Sequence, residues 1–301
     1  MANDLNALIQ FSDALAERTA AAATFTAGVK LPGAALRSGV LWRPDIVVLS
    51  EQSLPEGAEA GEAILAGGEV HKGKVVGRDT GSNIAVFKLD APHAMALPTF
   101  AVPRVGELTL AFGANGQGGA TVRIGTVEGV GAEWYSRGGG RIDRRVSLSL
   151  MLPRRAEGGP VTDTRGQLLG FSTFGPRRRT LVIPPETVER VIDPLLKQGT
   201  IARGWLGLAL HPVAIGEELR EPAGGTHGLM AMQVVADGPA ARAGIVAGDI
   251  LVSLDGVPAA RWGTLARKLG QDSVGKQFDV RLIRAGALTS QTVTVEARPQ
   301  S

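Results

Sequence analysis

The chain has 301 residues, 44% of them hydrophobic and 20% charged, a composition typical of packed domains and not of a disordered chain. This length is about twice that of a usual single domain, so the sequence predicts two domains. There is no cysteine, which excludes disulfides, cysteine-based zinc sites and thiol catalysis. The formal net charge of only +3 comes without a nucleic-acid-reading motif, so we expect no nucleic-acid partner.

The sequence carries no sign of a membrane or export segment. Its apolar stretches are far shorter than the roughly 18 residues that span a bilayer. The N-terminus has Asp4 and Asn6 where a signal peptide would have basic residues ahead of an apolar core. We therefore expect no membrane span and a cytoplasmic location, and a periplasmic one only if the sequence is a truncated form.

The predicted elements begin with a helix and continue with short strands. From residue 4 to about residue 23, apolar side chains such as Leu5, Leu8 and Leu15 recur at helical spacing. Short, β-branched segments separated by Gly, Pro and Asp then predict strands at residues 39–42, 45–49, 69–76, 84–89, 107–112, 121–130, 145–150, 167–173 and 180–183. Strands at this spacing, with no helical pattern between them, favour an all-β barrel or sandwich.

A second helix closes this region, and a second domain follows it. Pro185 opens the helix, and an apolar stripe runs from Val188 to Leu195. Residues 199–204, with a glycine at each end, predict a hinge. The rest of the chain mixes short strands with helical patches, one of them at residues 262–269, which is enough for a small domain.

This second domain contains an ordered set of glycine-flanked motifs. Arg203-Gly-Trp-Leu-Gly-Leu208 comes first, and Gly228-Leu-Met-Ala-Met-Gln-Val-Val235 follows. The set continues with Gly238-Pro-Ala-Ala-Arg-Ala-Gly-Ile245, Ala247-Gly-Asp-Ile-Leu251 and Leu254-Asp-Gly-Val257. This succession resembles the PDZ domain carried by HtrA/DegP-type serine proteases, and the resemblance covers residues 203–298.

The resemblance implies a groove that holds the C-terminus of a peptide. A glycine-flanked loop can present successive backbone N–H groups to a terminal carboxylate, and the strand after it can pair with an extended peptide. The residues expected to bind the peptide are Gly204, Trp205, Leu206 and Gly207 in the loop, Leu208 and Leu210 on the strand, and Leu265 and Leu269 on the facing helix. Because most of these side chains are aliphatic, we expect apolar terminal residues to be preferred.

The first half of the chain resembles the chymotrypsin-like double barrel of the same family. Gly158-Gly-Pro-Val161 resembles the segment after the nucleophile, and Asn83-Ile-Ala-Val-Phe-Lys88 resembles the segment that opens with the triad aspartate. Asp45-Ile-Val-Val-Leu-Ser-Glu-Gln52 lies where the family has the strand that leads to the catalytic histidine. The resemblance implies a mainly β chain with a helical segment at residues 1–27, a double β-barrel at 28–200 and a C-terminal PDZ domain at 203–298.

The positions that match the catalytic triad do not carry its residues. Serine-type acyl transfer needs a hydroxyl nucleophile, an imidazole that takes its proton and a carboxylate that orients the imidazole. The matching positions are Glu157, Gln52 and Asn83, so we expect a degenerate triad and no catalytic residue. Arg155 stands where the family has a glycine whose N–H turns toward the oxyanion, which disturbs that pocket too. The alternative to simple loss of catalysis is a new polar site.

One segment of the chain is rich in arginine. Between Arg137 and Arg179 there are ten arginines and three acidic residues. In the family's architecture two loops of this segment border the former active-site cleft, and their arginines are Arg154, Arg155, Arg177, Arg178 and Arg179. Guanidinium groups bind carboxylates and phosphates bidentately, so we hypothesise a site for an anion or an acidic partner. The alternative is that these side chains extend into solvent.

The sequence predicts neither a metal site nor a cofactor. His71 and His93 could meet as metal ligands, but no third ligand has convincing spacing. The glycine run at residues 113–119 lacks the Gly-Lys-Ser/Thr of a phosphate-binding loop, so it is typical of a turn between strands.

These features favour a catalytically inactive HtrA-like protein that binds peptide or protein C-termini through its PDZ domain, with the barrels as a scaffold. One alternative is an endopeptidase with residual or rewired activity that uses another hydroxyl, such as that of Ser172 or Thr173. A second alternative is a structural or oligomerisation module with a closed PDZ domain. The resemblance also implies a homotrimer assembled through the segment before the first barrel, where Phe11 and Leu15 are candidates, although a monomer stays open.

Overall fold

The structure is a computed structural model that describes residues 2–94, 98–136 and 138–299. It divides into two compact units: residues 1–134 with 142–200 form the first, and residues 135–141 with 201–301 form the second. The first unit contains two closed β-barrels, and the second contains a sheet with short helices. The mainly β fold class predicted from the sequence is confirmed.

The first unit begins with helix α1 (Ala2–Ala23), where the helical spacing predicts it. The helix leaves Leu8, Ile9 and Phe11 exposed, while Leu15 is half-buried. An apolar stripe that a single chain leaves exposed is available to another protein surface.

The first barrel follows α1 and places two candidate site residues side by side. Its strands are β1 (Thr26–Lys30), β2 (Arg37–Arg43), β3 (Ile46–Ser50), β4 (Ala60–Ile64), β5 (Val70–Asp79) and β6 (Ile84–Leu89), and they close in the order β1-β2-β3-β6-β5-β4. Strands β3 and β6 are antiparallel neighbours, with Ser50 opposite Ile84. The residues just after β3 and just before β6 therefore lie together at one end of the barrel.

The second barrel supplies the rest of the candidate site. It consists of β7 (Leu108–Ala114), β8 (Ala120–Gly131), β11 (Arg145–Leu148), β12 (Pro160–Asp163), β13 (Leu168–Phe174) and β14 (Thr180–Ile183), closed in the order β11-β14-β13-β12-β7-β8. Two short strands, β9 (Trp134–Tyr135) and β10 (Arg141–Ile142), pair with each other between β8 and β11. Each barrel interior is filled mainly with aliphatic side chains, such as Leu49 in the first and Val182 in the second, and the first also holds the ring of Phe87.

Helix α2 (Pro185–Gln198) ends the first unit. Val188, Val191 and Leu195 form its buried face, as the apolar stripe in the sequence predicts. Gly199 ends the helix in the left-handed conformation, and its N–H donates to the carbonyl of Leu195.

The second unit has an open sheet whose first strand is an edge. Its strands are β15 (Gly204–Trp205), β16 (Leu208–Ala214), β17 (His227–Val234), β18 (Ile250–Leu254), β19 (Val257–Pro258), β20 (Gln277–Arg284), β21 (Ala287–Thr294) and β22 (Glu296–Ala297), and its helices are α3 (Glu217–Ala223), α4 (Pro239–Arg242) and α5 (Trp262–Lys268). The main sheet has the order β16-β17-β18-β20-β21, and β15 pairs with β22. Strand β16 is therefore hydrogen-bonded on one side only. Among the described residues, no helix is both long and apolar enough to cross a membrane.

Candidate functional site

The three positions that match the triad meet at one end of the barrels. Gln52 lies in a 3₁₀ turn at Glu51–Ser53, directly after β3. Asn83 lies in the turn between β5 and β6, and its φ of 58° is in the left-handed region that Asn tolerates better than most residues. Glu157 follows a second 3₁₀ turn at Arg154–Ala156.

Glu157 is held by hydrogen bonds from three side chains. Its carboxylate oxygen Oε1 accepts from Gln52 Nε2 at 2.5 Å, from Ser50 Oγ at 2.9 Å and from Thr173 Oγ1 at 3.2 Å. The residue is only 7% exposed. A buried carboxylate loses its hydrogen bonds with water, and these three donors replace them.

Asn83 forms hydrogen bonds with the same three residues that donate to Glu157. Its Oδ1 accepts from the backbone N–H of Gln52 at 2.8 Å, and its Nδ2 donates to Ser50 Oγ at 3.0 Å and to Thr173 Oγ1 at 2.6 Å. We call Ser50, Gln52, Asn83, Glu157 and Thr173 the cleft cluster. The cluster is a closed polar network in which each side chain bonds to at least two others.

The backbone around Glu157 is fixed by close packing. Gly158 has a φ of 91°, and a Cβ on it would lie 2.2 Å from the carbonyl oxygen of Ser38, so only glycine fits. The N–H of Glu157 donates to the carbonyl of Arg154 at 3.3 Å, and the N–H of Ala156 donates to that of Pro153 at 2.9 Å. Because an oxyanion hole needs N–H groups aimed at the reacting oxygen, these two N–H groups do not supply one in this arrangement.

A cavity of about 330 Å³ opens beside the cleft cluster, and arginines lie on its wall. The side chains that line it include Arg37, Gln52, Arg154, Glu157, Phe174 and Arg178. Arg178 also stacks over the ring of Phe174, with 5.2 Å between the guanidinium carbon and the ring centroid.

The structure brings together only part of the predicted arginine group. Arg154 and Arg178 line the cavity, whereas Arg155 and Arg177 are exposed and do not. Arg179 is directed to Glu128, with which it forms an ion pair at 2.7 Å. Arg37 is the residue that sequence reasoning missed, because it begins β2 and lies far from the arginine-rich segment.

The second unit has a groove between β16 and α5, at the place where the sequence predicts peptide binding. Six of the eight expected residues line it: Gly204, Trp205, Leu206, Leu208, Leu210 and Leu269. Leu208 and Leu210 alternate with the exposed Ala209, so they share one face of the edge strand. The free side of β16 can therefore pair with an extended chain.

Two of the expected groove residues have other roles. Leu265 is fully buried in the core of the second unit, so the wall on α5 is formed by Trp262 and Ala266 and continues to Leu269. Gly207, with a φ of 77°, does not line the groove, but its carbonyl accepts from the N–H of Val235. Periodicity alone does not distinguish the two sides of so short a helix.

The same unit contributes a further wall that the sequence did not predict. Gly138 and Gly139 line the groove, and the carbonyl of Ser136 accepts from Trp262 Nε1 at 3.1 Å. The free volume left in the groove is about 40 Å³, well below the roughly 300 Å³ at which ordinary ligand pockets begin. The groove is narrow in this conformation.

An ion pair between the buried Asp249 and the partly exposed Arg284 fixes the turn before β18. Asp249 Oδ1 accepts from Arg284 Nε at 2.8 Å, and Oδ2 accepts from Arg284 Nη2 at 2.7 Å and from the N–H of Val246 at 2.8 Å. Burial of the carboxyl opposes its ionisation, but the bonds from Arg284 and Val246 outweigh burial and hold the pKa of Asp249 below its usual range.

Comparison with known proteins identifies both units. Residues 37–171 match the family model of the trypsin-like peptidase domain, and residues 206–295 match that of the PDZ domain. A "Probable periplasmic serine endoprotease DegP-like" of Rhizobium meliloti is 29% identical over 86% of this chain and 52% of its own length. "Protease Do-like 1, chloroplastic" of Arabidopsis thaliana is 28% identical over 87% of this chain and 64% of its own length.

Solved structures match over nearly the whole chain. A serine endoprotease from Yersinia pestis has a TM-score of 0.72 at 24% identity, covering 94% of this chain and 97% of its own. The HtrA-type protease AlgW with a tripeptide has a TM-score of 0.73 at 24% identity, covering 95% and 98%.

These comparisons show how much of its relatives' length the chain spans, where the relatives are located and which family the chain belongs to. The chain spans about half the length of the bacterial relatives, 52% in the example above. Those relatives are named periplasmic, which does not support the expected cytoplasmic location. With a trypsin-like peptidase domain, a PDZ domain and DegP-like relatives across most of its length, the chain belongs to the HtrA-type family.

Proposed function

We propose that this protein is an HtrA-type pseudoprotease that binds peptides and does not hydrolyse them, with the PDZ groove as the binding site for C-termini. The observation that carries the proposal is the state of Glu157, which is buried and accepts three hydrogen bonds at the position that follows the Arg154–Ala156 turn. A carboxylate held in this way has neither the hydroxyl of a serine nucleophile nor a neighbouring imidazole at Gln52.

Peptide binding is supported by the geometry of the second unit. Strand β16 offers an unpaired edge, and Leu208, Leu210 and Leu269 give the groove aliphatic walls. Main-chain pairing along such an edge supplies affinity, while the apolar walls select the side chains of the bound terminus.

A second candidate function is that of an endopeptidase with residual or rewired activity, and the names of the relatives favour it. The hydroxyls that it would need are enclosed: Ser172 is 0% exposed and its Oγ donates to the carbonyl of Ala156, while Thr173 is 4% exposed and belongs to the cleft cluster. Such hydroxyls lack both access to a substrate and a base that would activate them.

Turnover and active-site labelling separate these two functions. The protein should leave unfolded casein intact, and a fluorophosphonate probe should not label it. Casein cleavage that survives repurification and disappears in Ser172→Ala or Thr173→Ala would establish the peptidase instead.

Peptide titration tests the binding function by itself. A peptide with an apolar, free C-terminus should bind, and the same peptide with an amidated terminus should bind more weakly, because it lacks the carboxylate. The narrow groove favours a third candidate, a structural or oligomerisation module with a closed PDZ domain. If no peptide with a free C-terminus binds, the result supports the structural module and contradicts the binding function.

The cavity beside the cleft cluster is proposed as a second binding site, for an anion or an acidic partner. Arg37, Arg154 and Arg178 lie on its wall, with Glu157 as the acidic residue among the lining side chains. Three guanidinium groups around one carboxylate leave an excess of positive charge, and guanidinium groups suit bidentate binding of carboxylates and oxyanions. Arg179 is not part of the proposed site, because it forms an ion pair with Glu128.

A further inference from the structure

Two histidines and a glutamate lie close together at one end of the first barrel, at Glu69, His71 and His93. Glu69 directly precedes β5, His71 is the second residue of that strand, and His93 lies beyond the end of β6. The nearest ligand atoms of the three side chains all lie within 4.8 Å of one another. The third ligand that the sequence did not reveal is thus only two residues from His71.

The distances among these atoms suit a metal ion better than direct hydrogen bonds. Glu69 Oε2 lies 3.4 Å from His71 Nε2 and 3.3 Å from His93 Nδ1. Zinc bound at about 2.0–2.1 Å in a tetrahedron separates its ligand atoms by about 3.3–3.5 Å, from the geometry of the tetrahedron. An N–H···O hydrogen bond instead prefers about 2.9–3.0 Å between nitrogen and oxygen. Both oxygen–nitrogen separations are close to the edge of a zinc tetrahedron, and the two imidazole nitrogens lie within 4.8 Å of each other.

The backbone at both histidines is fixed, and their imidazoles are mostly buried. Their rings are nearly perpendicular, at 83°, with 5.3 Å between centroids. Their side chains are only 20% and 15% exposed. The N–H of His93 donates to the carbonyl of Pro44 at 2.8 Å, and His71 is fixed by its register opposite Ala63 on β4. A site whose ligands are already ordered loses little conformational freedom on binding.

The third ligand and the surrounding charge complete the site. The Glu69 side chain is 62% exposed, so it can rotate to adjust the oxygen position. Lys72 is the neighbour of His71 on β5 and therefore projects from the opposite face of the strand. Its ammonium does not oppose a cation between the histidines.

We infer that Glu69, His71 and His93 form a binding site for a divalent transition metal, specifically Zn²⁺. Two imidazoles and one carboxylate are ligands that zinc prefers, whereas Mg²⁺ and Ca²⁺ take oxygen ligands almost exclusively. Three protein ligands leave the fourth tetrahedral position to water or to an exogenous ligand. The bound ion joins the start of β5 to the segment after β6, and it stabilises the first barrel in proportion to its affinity.

The site is tested by isothermal titration of the untagged, chelator-treated chain with zinc chloride. We expect one zinc per chain, and at least about a tenfold weaker Kd for Glu69→Gln and for His93→Ala, since loss even of a partner of a ligand costs about 10–100-fold. His211→Ala is the matched control, because this exposed histidine lies in the second unit, and its Kd should equal that of the parent. Magnesium chloride should give no binding.

Two further measurements keep the result decisive if a histidine variant folds poorly. Glu69→Gln changes an exposed side chain, so it should fold normally, and the same zinc concentration should raise the melting temperature of this variant less than that of the parent. Cobalt in place of zinc should give the visible absorption bands of tetrahedral coordination. Zinc binding of equal affinity in Glu69→Gln, His71→Ala and His93→Ala, or no binding at millimolar zinc, would overturn the inference.

Discussion

Replacing Glu157 by alanine should destabilise the first unit, because the cleft cluster is built around this carboxylate. Its Oε1 accepts three hydrogen bonds, and a bond to a charged group contributes about 1.5–3 kcal/mol. The loss is smaller than three such bonds, since Gln52 keeps its contacts with Thr173 Oγ1 and the carbonyl of Phe174, and Ser50 keeps Asn83. We therefore expect a loss of about 2 kcal/mol, counting one charged bond as lost without replacement.

Thermal unfolding followed by circular dichroism measures this loss. For a unit of this size, 1 kcal/mol shifts the melting temperature by about 2–4 °C, so Glu157→Ala should lower it by about 4–8 °C. Glu157→Gln is the matched control, because its amide oxygen can still accept from Gln52 and Ser50, and it should lose less than half as much. If Glu157→Ala melts within about 1 °C of the parent, the carboxylate is not held by the cluster, and the support for a pseudoprotease is withdrawn.

Four further predictions concern other parts of the chain. Asp249→Asn should lower the melting temperature of the second unit, because the variant loses the ion pair with Arg284. Folding lowers the pKa of Asp249, so the parent should lose this stabilisation as the pH falls below about 4, and the melting curves of parent and variant should converge there. Leu210→Asp should weaken binding of an apolar free-terminus peptide at least about tenfold in a fluorescence titration, because it places a charge against the incoming carboxylate and side chain; unchanged affinity would mean that the peptide lies elsewhere. Sulfate should raise the melting temperature above that in chloride of equal ionic strength, and Arg178→Ala should remove the difference; an equal response of parent and variant excludes the arginine-lined site. If the protein is a trimer assembled through α1, sedimentation velocity should show that Phe11→Asp is a monomer, because Phe11 is exposed on this helix. A parent protein that sediments as a monomer would contradict the expected trimer.

The position of the cleft cluster could be predicted because sequence motifs anchor it. Gly158 admits no side chain, so the residue before it has a fixed place in the barrel. Gln52 and Asn83 were matched by the motifs around them, and the pairing of β3 with β6 brings the two residues to the same end of the barrel. What the sequence could not predict is that Ser50 and Thr173 would complete the network, because they lie at the ends of strands β3 and β13 in two different barrels and no motif links them.

Two strands and one side-chain cluster were not predicted from the sequence, because they depend on strand pairing or consist of residues with low strand propensity. Strands β1 and β4 were not predicted, since Thr26–Lys30 and Ala60–Ile64 contain mainly Gly, Ala and charged residues, and their pairing in a closed barrel gives them the strand conformation. Glu69 is only two residues from His71, but His93 joins them only through the pairing of β5 with β6, which a spacing rule along the chain does not reveal.

The edge strand β16 also limits how much of a partner the groove can hold. Pro212 lies within this strand and supplies no N–H, so a peptide added along the free edge finds no donor at that position. Main-chain pairing is therefore interrupted after the first four residues of the strand, Leu208–His211, and lengthening a ligand beyond its terminal four or so residues should add less affinity per residue. The same proline prevents the edge from joining the sheet of a second molecule along its full length, so the strand can stay open to ligands without inviting aggregation.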